Sequence, residues 1–314
     1  MLFKIEVNNM SKKEEKLSRK INRLLRQLGC PRWLHHFGPK KFELKQHLFA
    51  LLMTQVFKLS LRRVEKLLKM FGNKVPTFSA LCKSRKKIPT WIWNNLINLT
   101  SGIKHKNVAI DATGFSRTNP SFHFVKRIDR KNPVKSYAKM SMLFDVDKNK
   151  IISFRARIKP AHEIRDVKKL LENKNIKLLL ADKAYDAEWL HEFCFEKNIQ
   201  TIIPSRKNTK KGFYRRKQKK NYSEEKYFRR NLIESGFSAL KRKYGGNVSG
   251  KSLNAINSEL SCKVIAYNLQ LKEQRFSTVP ESATSKSHYK KPSNLSTLPK
   301  QKNPQSCRSY VRCK

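Results

Sequence analysis

The most conspicuous shortage in this sequence is of acidic side chains. Its 314 residues include 23 Asp and Glu against 70 Lys and Arg, which gives a formal net charge of +47. A compact chain with this imbalance repels itself unless a polyanion neutralises it. Nucleic acid is the commonest such polyanion, and its phosphates bind a basic surface with salt-dependent affinity. The charge therefore predicts a nucleic-acid partner; the alternative is a lysine-rich surface that only keeps the protein in solution.

The sequence also lacks a hydrophobic run long enough to span a membrane. Its longest apolar stretch, 48–57, contains Thr54 and Gln55. A spanning helix needs about 20 apolar residues, so this stretch is too short. The first residues show no basic segment followed by an apolar core, so we expect no signal peptide. We therefore expect no membrane partner.

Cysteine is present without the spacing of a structural framework. The cysteines show no CxxC pair and no clustered histidines beside them; they are Cys30, Cys82, Cys194, Cys262, Cys307 and Cys313. Zinc sites and disulfide frameworks depend on such spacing. We interpret all six as reduced thiols of a cytosolic protein.

The length allows a catalytic domain with a smaller module attached. Residues 1–100 are predicted to be a helical module, because apolar residues recur at helical spacing from residue 11 onwards. Its predicted helices include 42–58, 61–71 and 78–86. The last of these is short and basic, is capped by Thr77 and follows another short helix, which is the order of a helix-turn-helix reader. Any small helical bundle shows this order, so the DNA-binding interpretation depends mainly on charge. The predicted DNA contacts of this module are Lys83, Arg85 and Lys86.

From residue 107 the pattern changes to strands followed by alternating strands and helices. Strands are predicted over 108–111, 136–145, 150–159, 177–182 and 201–204. Helices are predicted over 162–173, 186–197, 223–244 and 253–272. This order predicts an α/β domain with a mixed sheet over residues 101–273. Residues 205–221 are predicted to be a basic loop, and 274–314 a disordered basic tail.

Two aspartates stand where such a sheet would bind a ligand. Asp111 and Asp182 each end an apolar strand, and open α/β sheets bind ligands at the carboxyl ends of their strands. Two neighbouring aspartates repel each other, and a divalent cation relieves the repulsion. Each aspartate alone is explained equally well as the cap of the turn or helix that follows it.

A third carboxylate, Glu234, lies on the predicted helix 223–244 at the margin of its apolar face. At about 100° per residue it shares a face with Tyr227, Arg230 and Lys241. A solvated, salt-bridged helix surface is the simpler alternative. It accounts less well for a single carboxylate within a long basic run at the edge of the core.

The run Tyr227-x-x-Arg230-x-x-x-Glu234-x-x-x-x-x-x-Lys241 resembles the Tyr–Arg–Glu–Lys signature of insertion-sequence transposases with an RNase H-like DDE domain. The segments around Asp111 and Asp182 look like those that carry the first two acidic residues of that family. The resemblance covers roughly residues 105–270 and implies an RNase H-like mixed sheet flanked by helices, preceded by an all-helical module. The stretch between Asp182 and Glu234 is too short for the β-rich insertion of some relatives.

The resemblance implies a transposase that cleaves DNA at the ends of an insertion sequence and transfers the cut strand to target DNA. Asp111, Asp182 and Glu234 would be its catalytic residues and would hold two Mg²⁺ ions about 4 Å apart, for which Mn²⁺ can substitute. Phosphate contacts would come from Tyr227, Arg230 and Lys241, with Arg206 and Lys207 of the basic loop as further predicted DNA contacts.

The same resemblance implies the partners and the location of the protein. Its partner would be double-stranded DNA, as terminal inverted repeats and as target, with a homodimer in the synaptic complex. Its location would be the cytoplasm of a prokaryotic cell, in association with the nucleoid. Three alternatives stay open: a transposase-derived DNA-binding protein that no longer cuts, a metal-dependent nuclease without strand transfer, and an RNA- or ribosome-binding basic protein. The last explains the charge but not the three-part motif.

Overall fold

A computed structural model describes residues 12–34, 40–117, 137–159, 161–206 and 212–270. Five helices come first in these ranges: α1 Lys12–Gln27, α2 Leu44–Val56, α3 Leu61–Met70, α4 Phe78–Lys87 and α5 Thr90–Ser101. The side chains of Ser60 and Thr77 accept hydrogen bonds from first-turn amides of α3 and α4, as their cap positions predict. The helical N-terminal region expected from the sequence is confirmed.

Six strands in the described ranges form one sheet: β1 Lys104–Arg117, β2 Tyr137–Asp145, β3 Lys150–Arg157, β4 Asn175–Leu180, β5 Gln200–Ile202 and β6 Asn247–Val248. Their order is β3-β2-β1-β4-β5, and β6 pairs with the C-terminal end of β1. β2 is antiparallel to both β1 and β3, whereas β4 and β6 are parallel to β1, and β5 is parallel to β4. The predicted mixed sheet of an RNase H-like α/β domain is confirmed.

The helices after β1 flank this sheet. They are α6 Val167–Leu171, α7 Glu188–Glu196, α8 Phe213–Lys219, α9 Glu224–Phe228, α10 Asn231–Tyr244 and α11 Leu253–Gln270. Short 3-10 segments lie before α6, at Glu163–Asp166, and before α7, at Lys183–Tyr185. No helix in the described part of the chain has the length and apolar content that crossing a bilayer requires.

Two apolar clusters cover the two faces of the sheet. Alternate residues of a strand point to opposite faces. Ala109 and Phe115 of β1 therefore belong to one cluster, which includes residues of α10, α11 and the N-terminal helices. Val108 and Ile110 belong to the other, which includes residues of α6 and α7. Helix α11 contacts α2, α4 and α5 as well as β3, so the N-terminal helices pack directly against the α/β domain.

The extent of β1 corrects the sequence analysis. The sequence predicts a strand that ends at Asp111, but β1 runs over 14 residues. β2 pairs with β1 from Val108 to Ser116, and this continuous ladder holds the chain extended through Thr113-Gly114. Asp111 consequently lies in the middle of a strand and not at its end.

The predicted helix 162–173 is also wrong in its extent. The chain forms the 3-10 segment and the five-residue α6 instead. The carboxylate of Asp166 is buried, where it accepts a hydrogen bond from Ser141 Oγ at 2.8 Å and pairs with Arg157. A tight 3-10 turn places this polar side chain against the sheet, although the apolar spacing alone favours a longer helix.

Two predictions for residues 205–244 need the same kind of correction. The predicted basic loop contains α8, which is ordered because Arg215 pairs with the buried Asp186 at 2.6 Å and Tyr214 N donates to Glu188 at 2.8 Å.

The predicted single helix 223–244 is two helices, α9 and α10. Between them the amides of Arg230 and Ile233 donate to carbonyls three residues earlier, which is a 3-10 turn.

Some predictions fall outside the described residues. These include the strand end at Pro160, the DNA contact Lys207 and the tail 274–314. Within the described ranges, Cys30, Cys82, Cys194 and Cys262 are free thiols, as the sequence predicts.

Candidate active site

Asp111 lies beside a gap in the sheet. β4 pairs with β1 as far as Ala109, and β6 pairs with it again only from Ser116. Between these points no strand in the described ranges covers that edge of β1. The side chain of Asp111 is 24% exposed there, and its Oδ1 accepts a hydrogen bond from the amide of Ala112 at 2.8 Å. The carboxylate of Asp111 is therefore partly open to solvent at this gap, although β1 is paired with neighbouring strands before and after it.

Asp182 follows β4 at the position that corresponds to Asp111 on β1. Leu180 pairs with Ala109, and each aspartate stands two residues beyond this pair. Because β1 and β4 are parallel, their register brings Asp111 and Asp182 to neighbouring positions beside the gap. Asp182 also caps the 3-10 segment, since its Oδ1 accepts from the amide of Lys183 at 2.7 Å. The capping role foreseen for this residue is therefore real, and one of its two carboxylate oxygens takes part in it.

Glu234 meets Asp111 through the guanidinium of Arg230. Nη1 of Arg230 lies 3.4 Å from Asp111 Oδ2, and Nη2 lies 3.0 Å from Glu234 Oε1. The side chain of Arg230 is only 14% exposed, whereas that of Glu234 is 59% exposed. A carboxylate from the middle of a strand and one from a distant helix thus share a single cationic group.

The glycine at position 236 allows α10 to lie this close to the sheet. A Cβ atom at Gly236 would lie 2.8 Å from the ring of Phe144, which is buried in β2. The same helix buries Ile233 and Leu240 against the sheet. This close contact determines how far Glu234 stands from Asp111.

The other residues of the Tyr–Arg–Glu–Lys signature surround the same gap. Lys241 Nζ donates to Thr113 Oγ1 at 2.7 Å and lies 5.4 Å from the ring centre of Phe115. The guanidinium of Arg230 lies 5.9 Å from the ring centre of Tyr227. Arg230 and Lys241 therefore lie along β1 between Asp111 and Phe115, and Tyr227, on the separate helix α9, lies beside Arg230.

The surroundings of Asp111 disfavour its charged form. Burial has the largest effect and raises the pKa of this carboxyl above its ordinary value. The negative charges of Glu163 and Glu234 raise the pKa further, whereas the amide of Ala112 and the guanidinium of Arg230 lower it. A positive charge at this place would therefore stabilise the ionised Asp111.

Glu163 is a further carboxylate near the site. The sequence predicts no role for Glu163 there. It pairs with Lys139 at 2.6 Å and accepts a hydrogen bond from the hydroxyl of Tyr185 at 3.2 Å. Burial and the charges of Glu163 and Asp111 raise the pKa of Tyr185. No motif marks Glu163, because its distance from Asp111 depends on the path of the chain after β3.

The remaining predicted DNA contacts have different surroundings. Arg206 is exposed, and its guanidinium donates to the carbonyls of Lys183 and Ala184 at 3.1 and 2.6 Å, so it braces the segment that follows Asp182. Lys83 and Lys86 are exposed on α4. Arg85 instead faces the α/β domain, where its Nη1 donates to Ser249 Oγ at 3.4 Å.

The donor set suits a divalent cation. Carboxylate oxygens are the ligands that Mg²⁺ prefers, and Asp111, Asp182 and Glu234 supply them. Within the described ranges, however, no group of three or more His, Cys, Asp or Glu side chains is arranged around one metal position. Arg230 provides the positive charge between Asp111 and Glu234 in this arrangement. The residues therefore fit a metal ion provided that Arg230 moves away from the two carboxylates.

Comparison with known proteins identifies the family of this chain. The family model of the transposase DDE domain matches residues 103–269, which is more than half of the chain and includes all three carboxylates. The protein therefore belongs to the transposase DDE domain family. It is also similar to a piggyBac transposase whose synaptic complex with hairpin DNA was solved by cryo-EM. That similarity has 13% identity over 80% of this chain and 72% of that chain, with a TM-score of 0.39. No curated protein matches the chain.

Proposed function

We propose that this protein cleaves DNA at the ends of an insertion sequence and joins the freed end to target DNA, with Mg²⁺ as its cofactor. The observation that carries the proposal is that Asp111 and Glu234 both contact the guanidinium of Arg230, next to Asp182. The parallel register of β1 and β4 places Asp182 next to Asp111, and all three carboxylates lie within a transposase DDE domain. A purely structural role would not require them to share a gap in the sheet.

Asp111, Asp182 and Glu234 would hold the metal ions. When bound, Mg²⁺ supplies activation of the attacking oxygen and stabilisation of the leaving oxygen in phosphoryl transfer. A metal ligand must be the ionised carboxylate; burial raises the pKa of Asp111, and a nearby positive charge favours its ionised form. Arg230 provides that charge until the ligand oxygens are needed.

The cationic residues beside the carboxylates would bind the substrate phosphate. The guanidinium of Arg230 can then donate to two phosphate oxygens, because its planar fork matches them. Lys241 would contribute a second positive charge, held in place by the hydroxyl of Thr113. These contacts would orient the phosphodiester so that the attacking and leaving oxygens lie in line on either side of phosphorus.

Two successive reactions would use this one site. In the first, water attacks the phosphodiester at the element's end, a P–O bond breaks and a 3′-hydroxyl is released. In the second, that 3′-hydroxyl attacks a phosphodiester of the target, so that one P–O bond forms as another breaks. Binding of duplex DNA by the basic surface, including Lys83 and Lys86 of α4, would hold the substrate through both steps. A homodimer would bring two element ends together.

The test uses the full-length protein with a duplex that carries the inverted repeats flanking its gene, together with a plasmid target. We expect cuts at the repeat ends and joined products in Mg²⁺, and neither in EDTA. Cuts without joined products would identify a metal-dependent nuclease instead. Tight binding of the duplex without any cut would identify a DNA-binding protein that has lost catalysis.

A further inference from the structure

A cleft lies between the N-terminal helices and the α/β domain, on a different part of the molecule from the gap beside Asp111. It has a volume of about 670 Å³. Residues of α2, α3 and α4 line one side of it, and residues around the C-terminal end of α10, β6 and α11 line the other. The residues that matter for its chemistry are Lys58, Arg62, Cys82, Arg85, Ser249 and Glu259.

Arg85 places a partly unsatisfied guanidinium in this cleft. Its Nη1 makes a long hydrogen bond of 3.4 Å to Ser249 Oγ, and its buried Nε has no hydrogen-bond partner in the part of the chain that the structure describes. The backbone at this point is anchored, because Ser258 Oγ donates to the carbonyl of Arg85 at 2.6 Å. The long Nη1 bond leaves this guanidinium weakly paired, so it can exchange Ser249 Oγ for an incoming anionic oxygen, which is a stronger acceptor.

Two further cations of the N-terminal region stand along the cleft. Lys58 Nζ donates to the carbonyl of Arg242 at 3.3 Å, at the C-terminal end of α10. The guanidinium of Arg62 lies 4.5 Å from the ring centre of Phe78, which supports it on an aromatic surface while leaving the side chain exposed. Lys58, Arg62 and Arg85 thus present positive charge from one side of the cleft.

The carboxylate of Glu259, which also lines the cleft, is already occupied. It accepts hydrogen bonds from the amide and the hydroxyl of Ser249, at 2.9 and 3.0 Å, and from the amide of Gly250 at 3.1 Å. Glu259 therefore holds the loop that carries the hydroxyl partner of Arg85. The balance of charge in the cleft stays positive.

The position of the cleft relates it to the candidate active site. Lys241 lies beside Asp111 through its contact with Thr113, and the next residue, Arg242, is the one that Lys58 contacts. Glu234 and Arg242 are eight residues apart on α10, which is about 12 Å at 1.5 Å per residue. One DNA strand rises about 3.4 Å per nucleotide, so this distance corresponds to about four nucleotides.

We propose that this cleft binds the sugar–phosphate backbone of duplex DNA a few nucleotides from the site of cutting. Arg85, Lys58 and Arg62 neutralise its phosphates. This inference rests on the proposed function, because it requires DNA as the substrate. It gives Arg85 a different role from that of a residue on an exposed recognition helix, since its guanidinium contacts DNA between the two parts of the protein.

A pair of adjacent arginines provides a matched test. Arg62 and Arg63 are both exposed on α3, but only Arg62 lines the cleft. We expect Arg62→Gln to weaken duplex binding roughly fivefold and to lower the slope of log affinity against log salt by about 1. Arg63→Gln should change both values much less, and melting curves should show that both variants are folded. Equal losses in the two variants would mean that only overall charge matters, and the cleft proposal would be wrong.

Cys82 gives a second measurement that needs no substitution. Cys82 lines the cleft, whereas Cys30 has similar partial exposure and does not line it. We expect saturating duplex DNA to slow alkylation of Cys82 and not that of Cys30, as measured by mass spectrometry of the labelled peptides. If the protein binds and cuts DNA while Cys82 stays fully reactive, the cleft proposal fails and the proposed function stands. If the protein does not bind duplex DNA at all, both fail.

Discussion

Lys241 donates from its ammonium group to the hydroxyl of Thr113 at 2.7 Å, which joins the last residue of the Tyr–Arg–Glu–Lys signature to the strand that carries Asp111. Arg230 makes the corresponding contact from the start of α10, to Asp111 itself. Both cationic residues of the signature therefore hold α10 against β1. Their substitution tests the geometry of the site as well as its binding of phosphate.

The three carboxylates lead to the first prediction. Asp111→Asn, Asp182→Asn and Glu234→Gln should each abolish cleavage in Mg²⁺ and leave duplex affinity largely unchanged. According to the proposed function, each substitution would remove a metal ligand while the basic surface stays intact. Gel-based cleavage and binding assays on one duplex make the comparison. A variant that cuts at the wild-type rate shows that its residue is not a ligand.

Removal of Arg230 leads to the second prediction. In EDTA, Arg230→Ala should lower the melting temperature, because Asp111 and Glu234 lose the cation between them. Mg²⁺ should raise the melting temperature of this variant more than that of the wild type, since it supplies the missing charge. Cleavage should be lower in Arg230→Ala than in the wild type. Arg230→Lys should restore only part of this loss, because an ammonium group cannot form the bidentate fork. Identical Mg²⁺ responses in Arg230→Ala and wild type would show that the metal binds elsewhere.

The contact between Lys241 and Thr113 leads to the third prediction. Lys241→Ala should lower cleavage by about tenfold or more, as expected from the loss of a charge-assisted contact worth about 1.5–3 kcal/mol. Thr113→Val should cause a smaller loss, because it removes the partner that positions the ammonium but keeps the charge. Lys243→Ala is the control, because it removes the same charge from the same helix. If the control loses as much activity as Lys241→Ala, the specific contact has no catalytic importance.

The packing of α10 leads to the fourth prediction. Gly236→Ala should destabilise the protein by about 1–3 kcal/mol, because the new Cβ would lie 2.8 Å from the buried ring of Phe144. It should also lower cleavage, since α10 must move and takes Glu234 with it. The double variant with Phe144→Leu, which makes room for the methyl group, should recover part of both losses. Urea denaturation and cleavage rates are the measurements, and an unchanged single variant would contradict the close packing.

The fifth prediction concerns acid stability and the buried pair of Asp145 and His105. The carboxylate of Asp145 lies 2.7 Å from His105 Nδ1, and both side chains are buried. Burial alone would raise the pKa of Asp145, but hydrogen bonds from His105 and from the amides of Lys148 and Asp147 outweigh it and lower the pKa. Because the folded pKa is below the unfolded value of about 3.9, ionised Asp145 stabilises the fold above that pH. This contribution is lost as the pH falls through the folded pKa.

Asp145→Asn should therefore destabilise the fold by about 1–3 kcal/mol at pH 7, because it removes the carboxylate that is hydrogen-bonded to His105 Nδ1 and to the amides of Asp147 and Lys148. The stability of the variant should also fall less steeply than that of the wild type as the pH falls below about 4. Asp147→Asn is the control, since Asp147 is partly exposed and pairs with Arg229 at the surface, where such pairs contribute less than about 1 kcal/mol. Parallel pH curves for Asp145→Asn and wild type would contradict the assignment.

The sequence by itself determined the elements that depend on near neighbours. Apolar spacing and the caps at Ser60 and Thr77 predicted α3 and α4 almost to the residue, because a helix end is decided within one turn. The alternation of the β2–β3 hairpin was equally clear from the sequence, and Asn149 adopts the left-handed conformation that its turn requires. The spacing of Glu234 and Lys241 likewise identified two side chains that share an edge of α10.

Only the tertiary structure decided where these elements meet. β1 continues past Asp111 because β2 pairs with it, and a ladder between distant segments leaves no mark in the local pattern. The same holds for Arg230 between Asp111 and Glu234, and for Arg85, which contacts Ser249 in the α/β domain. The contacts of Arg230 with Asp111 and of Arg85 with Ser249 join residues more than a hundred positions apart. Local spacing indicates which residues share a face of a helix or strand. Which of these faces pack against one another depends on the whole chain.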